Sequence, residues 1–311
     1  MNDPISAKRA EIMAIASGKG GVGKSVILTN LAVLLARHGK RVLLLDADLG
    51  GANLHTLLGV DRPTPTLTDF LTRNVAELSD TIVSTPFAGL SLISGANALM
   101  DMANPYAAQK AKLLRHLSMV DFDYVLIDLG AGSTFTTLDF LAAADQTLLV
   151  MMPTPTSIEN AYHLLKAVLY RKITRTLKRL NVDHLLPRGL DEDVRRGRRS
   201  AWDLLNELAH IDTALTVEAA RLTRRLQPRI IVNHANSAED LRLGRQITLA
   251  CQRHLGLTAD FLGDIRTDER VLSAVQQRRP VCDVHPGCPF ATALEGIVLR
   301  LLKDRHGESE K

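Results

Sequence analysis

The stretch that most limits what this chain can fold into is IMAIASGKGGVGKSVILTNLAVLL, residues 12–35. It places an apolar run, a glycine-rich turn and an apolar helical pattern in direct succession. Ile12–Ala16 reads as a buried strand, since a short apolar run bounded by a turn signal has that signature. Ile27, Leu28, Leu31, Leu34 and Leu35 then recur at helical spacing between Lys24 and His38, and Gly39 supplies the stop. Between them GKGGVGKS satisfies G-x-x-x-x-G-K-[ST] through Gly18, Gly23, Lys24 and Ser25. Glycine allows the backbone of Gly18, Gly20, Gly21, Val22 and Gly23 to wrap a phosphate with its N–H groups. The helix that follows, from Lys24, Ser25 and Val26 onward, aims its positive end at the same anion. Lys24 is placed to reach the β- and γ-phosphates of a nucleotide, and the Ser25 hydroxyl to ligate Mg²⁺.

Further strands are expected at RVLLLDAD (41–48), LSLIS (90–94), YVLIDLGAG (124–132), QTLLVMMP (146–153), RIIVNHANS (229–237) and DFLGDI (260–265). Helices are expected over about 105–119, from Ser157 through Val168, over Asp268–Gln277 and over 290–304, and Ser237 with Asp240 reads as a helix N-cap. Apolar strands separated by helices predict an α/β fold, a mostly parallel sheet with helices on both faces. Ligands of such sheets sit at the carboxyl ends of the strands. The glycine-rich loop, Asp46, Asp48, Asp128 and Asn233 all fall there.

Residues 171–229 break the alternation. They hold 14 Lys or Arg against 8 Asp or Glu, a net of +6, so the remainder of the +4 chain carries −2. We read them as a mainly helical basic insertion within a single domain spanning 1–311. Arg195, Arg196, Arg198 and Arg199 form its densest run, and 201–226 has apolar residues at helical spacing, Trp202 among them. The low overall charge does not itself name a partner. Aromatic content of 4% speaks against a base-stacking platform. Cys251, Cys282 and Cys288 form no disulfide framework, which fits a reducing cytoplasmic setting. No secretory leader or membrane span is expected.

KGGVGKS, with a second lysine at Lys19, resembles the deviant phosphate loop of the ParA/MinD family of P-loop ATPases. The resemblance extends to LLLDADLGGANLHTLLGV (43–60) and VLIDLGAG (125–132), which are similar to that family's two switch segments. VNHANSAED (232–240) and LGDIRTDERVLSAVQQRRPV (262–281) are similar to its nucleotide-base region, and the match is closest to the MinD and FlhG branch. The resemblance implies ATP and ADP as ligands, Mg²⁺ as cofactor, and a homodimer formed in the ATP state. It implies that Lys19 reaches the nucleotide held by the partner subunit, in the manner of an arginine finger supplied in trans. It also implies that Asp48 orients the attacking water. Asp128 would hold Mg²⁺ through a water, and Asp46 would stand near Mg²⁺ or Ser25. Asn233 either reads adenine through its amide or satisfies nearby backbone groups. Gly130 and Gly132 would let the second switch move.

The family acts as a switch on a surface, with a protein activator or cargo. Leu294, Ile297, Val298, Leu301 and Leu302 form an apolar stripe that either lies on an anionic membrane or packs on the sheet. The arginine run offers a contact for DNA or anionic lipid, or forms a solvated loop. Two other readings are an iron–sulfur carrier of the related Mrp type and a nucleotide-binding module without hydrolysis. For the carrier the candidate ligands are Cys282, His285 and Cys288.

Overall fold

The computed structural model describes residues 9–95, 106–181, 217, 218, 221 and 226–308. Its centre is an eight-stranded sheet of β1 (Glu11–Ala16), β2 (Val42–Asp46), β3 (Val83–Ser84), β4 (Leu90–Ile93), β5 (Tyr124–Asp128), β6 (Gln146–Met151), β7 (Pro228–Asn233) and β8 (Asp260–Ile265). The order across the sheet is β3-β4-β2-β5-β1-β6-β7-β8. All neighbours are parallel except β3, which pairs antiparallel with β4 at one edge. The doubly covered parallel sheet expected from the apolar strands is therefore present.

Helices α1 (Lys24–Arg37), α2 (Leu54–Leu57), α3 (Leu67–Leu71), α4 (Ala107–Leu117), α5 (Phe135–Ala143) and α6 (Pro155–Arg179) precede β7. After it come α7 (Asp240–Leu255), α8 (Arg270–Gln276), α9 (Val281–Val284) and α10 (Pro289–Glu308). Alternation along each strand divides the core in two. Ile12, Ala14 and Ala16 face a layer containing Phe70, Leu113, Phe140, Leu164 and Leu255. Met13 and Ile15 face the layer of Leu28, Leu31, Leu35, Val281, Leu294 and Ile297.

Helix α1 begins at Lys24 because Gly23, at φ 87°, turns the chain into it in the left-handed region. It ends with His38 as cap and Gly39 at φ 74°. The Ser237 and Asp240 pair forms a reciprocal cap: the Asp240 N–H donates to Ser237 Oγ at 3.0 Å and the Ser237 N–H to Asp240 Oδ2 at 2.9 Å.

The start of the expected insertion needs correcting. Helix α6 continues to Arg179, and Leu169, Ile173 and Leu177 are buried in the core. The first turns assigned to the insertion are thus part of the sheet's covering layer. Arg195, Arg196, Arg198, Arg199 and Trp202 lie outside the described residues. The choice left open for the last helix is settled for its stripe: Leu294, Ile297, Val298 and Leu301 of α10 are at most 2% exposed and pack on the sheet. The guanidinium of Arg300 caps the opposite sheet edge, donating to the carbonyls of Phe261 (2.8 Å) and Leu262 (3.0 Å). Among the described residues no helix is long and apolar enough to cross a membrane.

Candidate nucleotide site

The turn after β1 and the C-terminal ends of β2, β5 and β7 meet at one edge of the sheet. The loop between β1 and α1 is seated against α6. A Cβ on Gly18 would lie 2.3 Å from the Asn160 carbonyl carbon and 2.5 Å from the Ala161 nitrogen. Only glycine permits that approach. Gly20 and Gly21 face open space instead, which leaves the concave side of the loop accessible.

The two lysines of the loop occupy different surroundings. Lys24 is 8% exposed and donates from Nζ to Asp128 Oδ1 at 2.8 Å. Lys19 lies on the rim, its Nζ 3.4 Å from Thr156 Oγ1 at the start of α6. The Ser25 hydroxyl also bonds the carboxylate of Asp128. Burial pushes the Asp128 pKa above the ordinary carboxylate range, while Lys24 and Ser25 pull the other way.

Asp46 is fully buried at the end of β2. Its Oδ2 accepts the N–H groups of Asn53 (2.9 Å) and Leu54 (3.0 Å), and its Oδ1 that of Asp48 (3.3 Å). It therefore pins the first turn of α2 and the loop leading to it. Burial and the charge of Asp128 push its pKa up to about 7 against those N–H donors. Asp48 is half-buried, with its carboxylate held between Gly51 and Gly130: a Cβ would lie 3.5 Å from Oδ2 at the first and 3.2 Å from Oδ1 at the second. The Gly132 N–H donates to the Ser17 carbonyl at 3.0 Å, which ties the segment after β5 to the phosphate loop.

Asn233 ends β7 beside the phosphate loop. Its Nδ2 donates to the Val22 carbonyl at 2.9 Å, and the side chain packs on Gly23. It borders a small cleft lined also by Val26, His234, Arg266, Thr267, Asp268, Val271 and Phe290. Arg266, Thr267, Asp268 and His234 were not singled out by the sequence as site residues. The signal was present in the segment 262–281, whose strand ends one residue before Arg266.

The donors fit Mg²⁺. They are a hydroxyl and carboxylates, hard oxygen ligands, and the mutual repulsion of the buried Asp46 and Asp128 is what a divalent cation would relieve. No three His, Cys, Asp or Glu side chains among the described residues converge as a metal cage. A cation here would rest on Ser25, phosphate oxygens and water held by the aspartates. The same observation bears on Cys282, His285 and Cys288. Cys282 and Cys288 are buried in the core. Cys282 Sγ faces the Asn30 carbonyl at 3.8 Å, and burial pushes its pKa to about 12. Core thiols of this kind are poor cluster ligands.

Residues 8–175, which carry this loop and its aspartates, match a known family model, described as ParA: NUBPL iron-transfer P-loop NTPase. The chain belongs to the ParA family of P-loop NTPases. It is 30% identical to the antiactivator FleN of Pseudomonas aeruginosa over 94% of this chain and 86% of FleN. It is 25% identical to the septum site-determining protein MinD of Helicobacter pylori, over 94% and 91% of the two chains. The structure of MinD from Pyrococcus horikoshii OT3 complexed with Mg-ADP shares the fold, with a TM-score of 0.64 at 22% identity, covering 94% of this chain and 96% of that one.

Proposed function

We propose that this ParA-family chain is an ATP-driven dimerisation switch that controls the position or number of a cellular structure, with ATP hydrolysis resetting it. The division of labour between the two lysines carries the reading. Lys24 is buried at the bottom of the loop on Asp128, whereas Lys19 stands on the rim beside Thr156. One loop thus presents one cation inward and one outward. The proteins it resembles are named an antiactivator, FleN, and a determinant of the septum site, MinD.

The chain is an ATPase. Its residues supply positioning and charge rather than covalent chemistry. Lys24 exchanges Asp128 for phosphate oxygens when ATP enters. The N–H groups of Gly20, Gly21, Val22, Gly23, Lys24, Ser25 and Val26 hold the phosphates. Ser25, with Asp128 and Asp46 through water, would hold Mg²⁺, which would supply charge neutralisation on the γ-phosphate. Asp48, fixed between Gly51 and Gly130, orients the attacking water. Lys19 meets the phosphates of the second copy, so that neutralisation is complete only in the homodimer. Asn233 and its neighbouring cleft take the base. The ATP dimer meets an anionic membrane or DNA through the arginine run at 195–199, and a protein activator or cargo completes the cycle. The protein is cytoplasmic and peripheral to that surface in the ATP state.

The deciding measurement is sedimentation velocity of Asp48→Ala in ATP–Mg²⁺ and in ADP–Mg²⁺. The variant should turn over at least about 100-fold more slowly and sediment as a dimer in ATP and a monomer in ADP. A monomer in both, with ATP shown to be bound, would overturn the switch.

A further inference from the structure

Helix α7 is pressed closely onto β8. A Cβ on Gly244 would lie 2.2 Å from Cε2 of the Phe261 ring. Gly244, Ile247, Cys251 and Leu255 make the buried side of the helix. At about 100° per residue, the opposite side is centred on Arg242, Leu249 and Arg253, which fall within about 40° of one another. Arg245 lies about 60° from Arg242. All four are exposed, Leu249 by 71%. From Arg242 to Arg253 the stripe runs about 17 Å along the helix.

The charge on this stripe is uncompensated. Arginines elsewhere hold carboxylates: Arg37 has Asp283 at 2.9 Å, Arg41 has Asp121 at 2.6 Å and Arg229 has Asp304 at 2.9 Å. Among the described residues, none of Arg242, Arg245 and Arg253 has an ion pair or a side-chain hydrogen bond. Residues 241–259 contain no Asp or Glu. The Asp240 carboxylate just before them is occupied by the N–H groups of Asn236 and Ser237, both at 2.9 Å. Glu239 makes no ion pair with the three arginines. The outward residues between them, Gln246, Ala250 and Gln252, carry no charge.

Two features of the stripe narrow what would cover it. Three guanidinium groups without counter-charge match an anionic surface. A leucine standing at their centre matches a surface with an apolar layer beneath its charge. An anionic bilayer has both, with phosphates at the level of the guanidinium groups and acyl chains below them. A nucleic-acid duplex would set Leu249 against phosphates and leave it without an apolar partner.

We propose that the outer face of α7 lies on an anionic membrane, with Arg242, Arg245 and Arg253 on lipid phosphates and Leu249 entering between the headgroups. The contact is a property of the single chain and rests on neither the dimer nor the arginine run at 195–199. Attraction through three exposed arginines is modest and screened by salt, as suits a contact that forms and breaks.

The test is flotation of the full-length, nucleotide-free protein with vesicles of phosphatidylcholine containing about 40% phosphatidylglycerol, beside vesicles of phosphatidylcholine alone. Binding at low salt should need the anionic lipid and should fade at about 0.3 M salt. Arg242→Gln, Arg245→Gln and Arg253→Gln should each weaken it about fivefold. Leu249→Ser should weaken it about fivefold as well, with the salt dependence of the parent kept. All four positions are exposed, so the variants should melt with the parent. Three outcomes would overturn the proposal. One is no binding to anionic vesicles at low salt. Another is binding that Arg242→Gln combined with Arg253→Gln leaves unchanged. The third is displacement from the vesicles by a DNA duplex together with no effect of Leu249→Ser, which would mark a site for a phosphate backbone. Leaving nucleotide out keeps the result separate from the fate of the dimer switch.

Discussion

Lys24 and Asp128 form a buried ion pair, 2.8 Å from Nζ to Oδ1, with the side chains 8% and 1% exposed. On the proposed reading, Lys24 is thereby held desolvated before phosphate arrives. Binding exchanges one anion for another instead of ordering a free chain. Asp128→Asn would leave the ammonium buried without its counter-charge, a loss of about 3 kcal/mol. We expect the nucleotide-free variant to melt earlier by that margin, and saturating ATP to restore much of it. Calorimetric melting with and without nucleotide measures both. A variant as stable as the parent without nucleotide would contradict the assignment.

Gly130 backs directly onto Asp48. Adding a methyl group by Gly130→Ala places a carbon 3.2 Å from Asp48 Oδ1, which must shift by a few tenths of an ångström. Turnover should fall by about tenfold, as expected for a misplaced catalytic group, while ATP affinity stays near that of the parent. Steady-state rates beside isothermal titration separate the two. An equal loss in both would mean that Gly130 serves the phosphate loop rather than Asp48.

Asp139 of α5 pairs with three cations on two other helices: Lys110 at 2.7 Å, Arg171 at 2.8 Å and Arg175 at 2.7 Å. Burial raises its pKa, but these partners outweigh burial and bring it below the ordinary 3.8. Its contribution to stability is complete above the unfolded value of 3.8 and fades as pH falls through the lower folded one. Asp139→Asn should cost about 3 kcal/mol at neutral pH, since Lys110 stays buried. The gap between the two proteins should narrow below about pH 4. Urea melts across that window test the sign; a gap that widens in acid would refute it.

The cysteines should be silent. Burial pushes the thiols of Cys251 and Cys282 to about 11 and about 12 and raises that of Cys288. Iodoacetamide at mild alkaline pH should label none of them in the folded chain, as read by intact mass. Cys282→Ser with Cys288→Ser should leave turnover unchanged. Rapid labelling, or bound iron lost in that double variant, would revive the carrier reading.

The strands and the phosphate loop were legible because each is written locally. DFLGDI is β8 residue for residue, and Lys24 opens α1 as the glycine-to-apolar switch indicated. Helix α5 was not anticipated. FTTLDFLAA is largely apolar and carries two β-branched threonines in its first turn, so no 3.6-residue stripe marks it. It is helical because α4 and α6 bury it and Thr134 caps it. The end of α6 was misread for a related reason. RKITRTLKR looks like a solvated charge run until Asp139, far off in sequence, takes up Arg171 and Arg175. Asp46 was identified as a site residue from its position behind the loop. Its hold on the N–H groups of Asn53 and Leu54 depends on how the chain returns, which no spacing displays. The seating of Gly18 on Asn160 likewise becomes visible only in three dimensions.

The way the sheet stops at its two sides bears on how copies of this chain can come together. At one margin the two residues of β3 run against the grain of the sheet, and at the other Arg300 occupies carbonyls of β8. Neither margin is an open template for another strand. Copies are thereby steered away from ribbon-like stacking, which would be insensitive to what the loop holds. If copies pair over the phosphate loop as proposed, the borders that resist strand-to-strand stacking would leave its rim as the place of assembly.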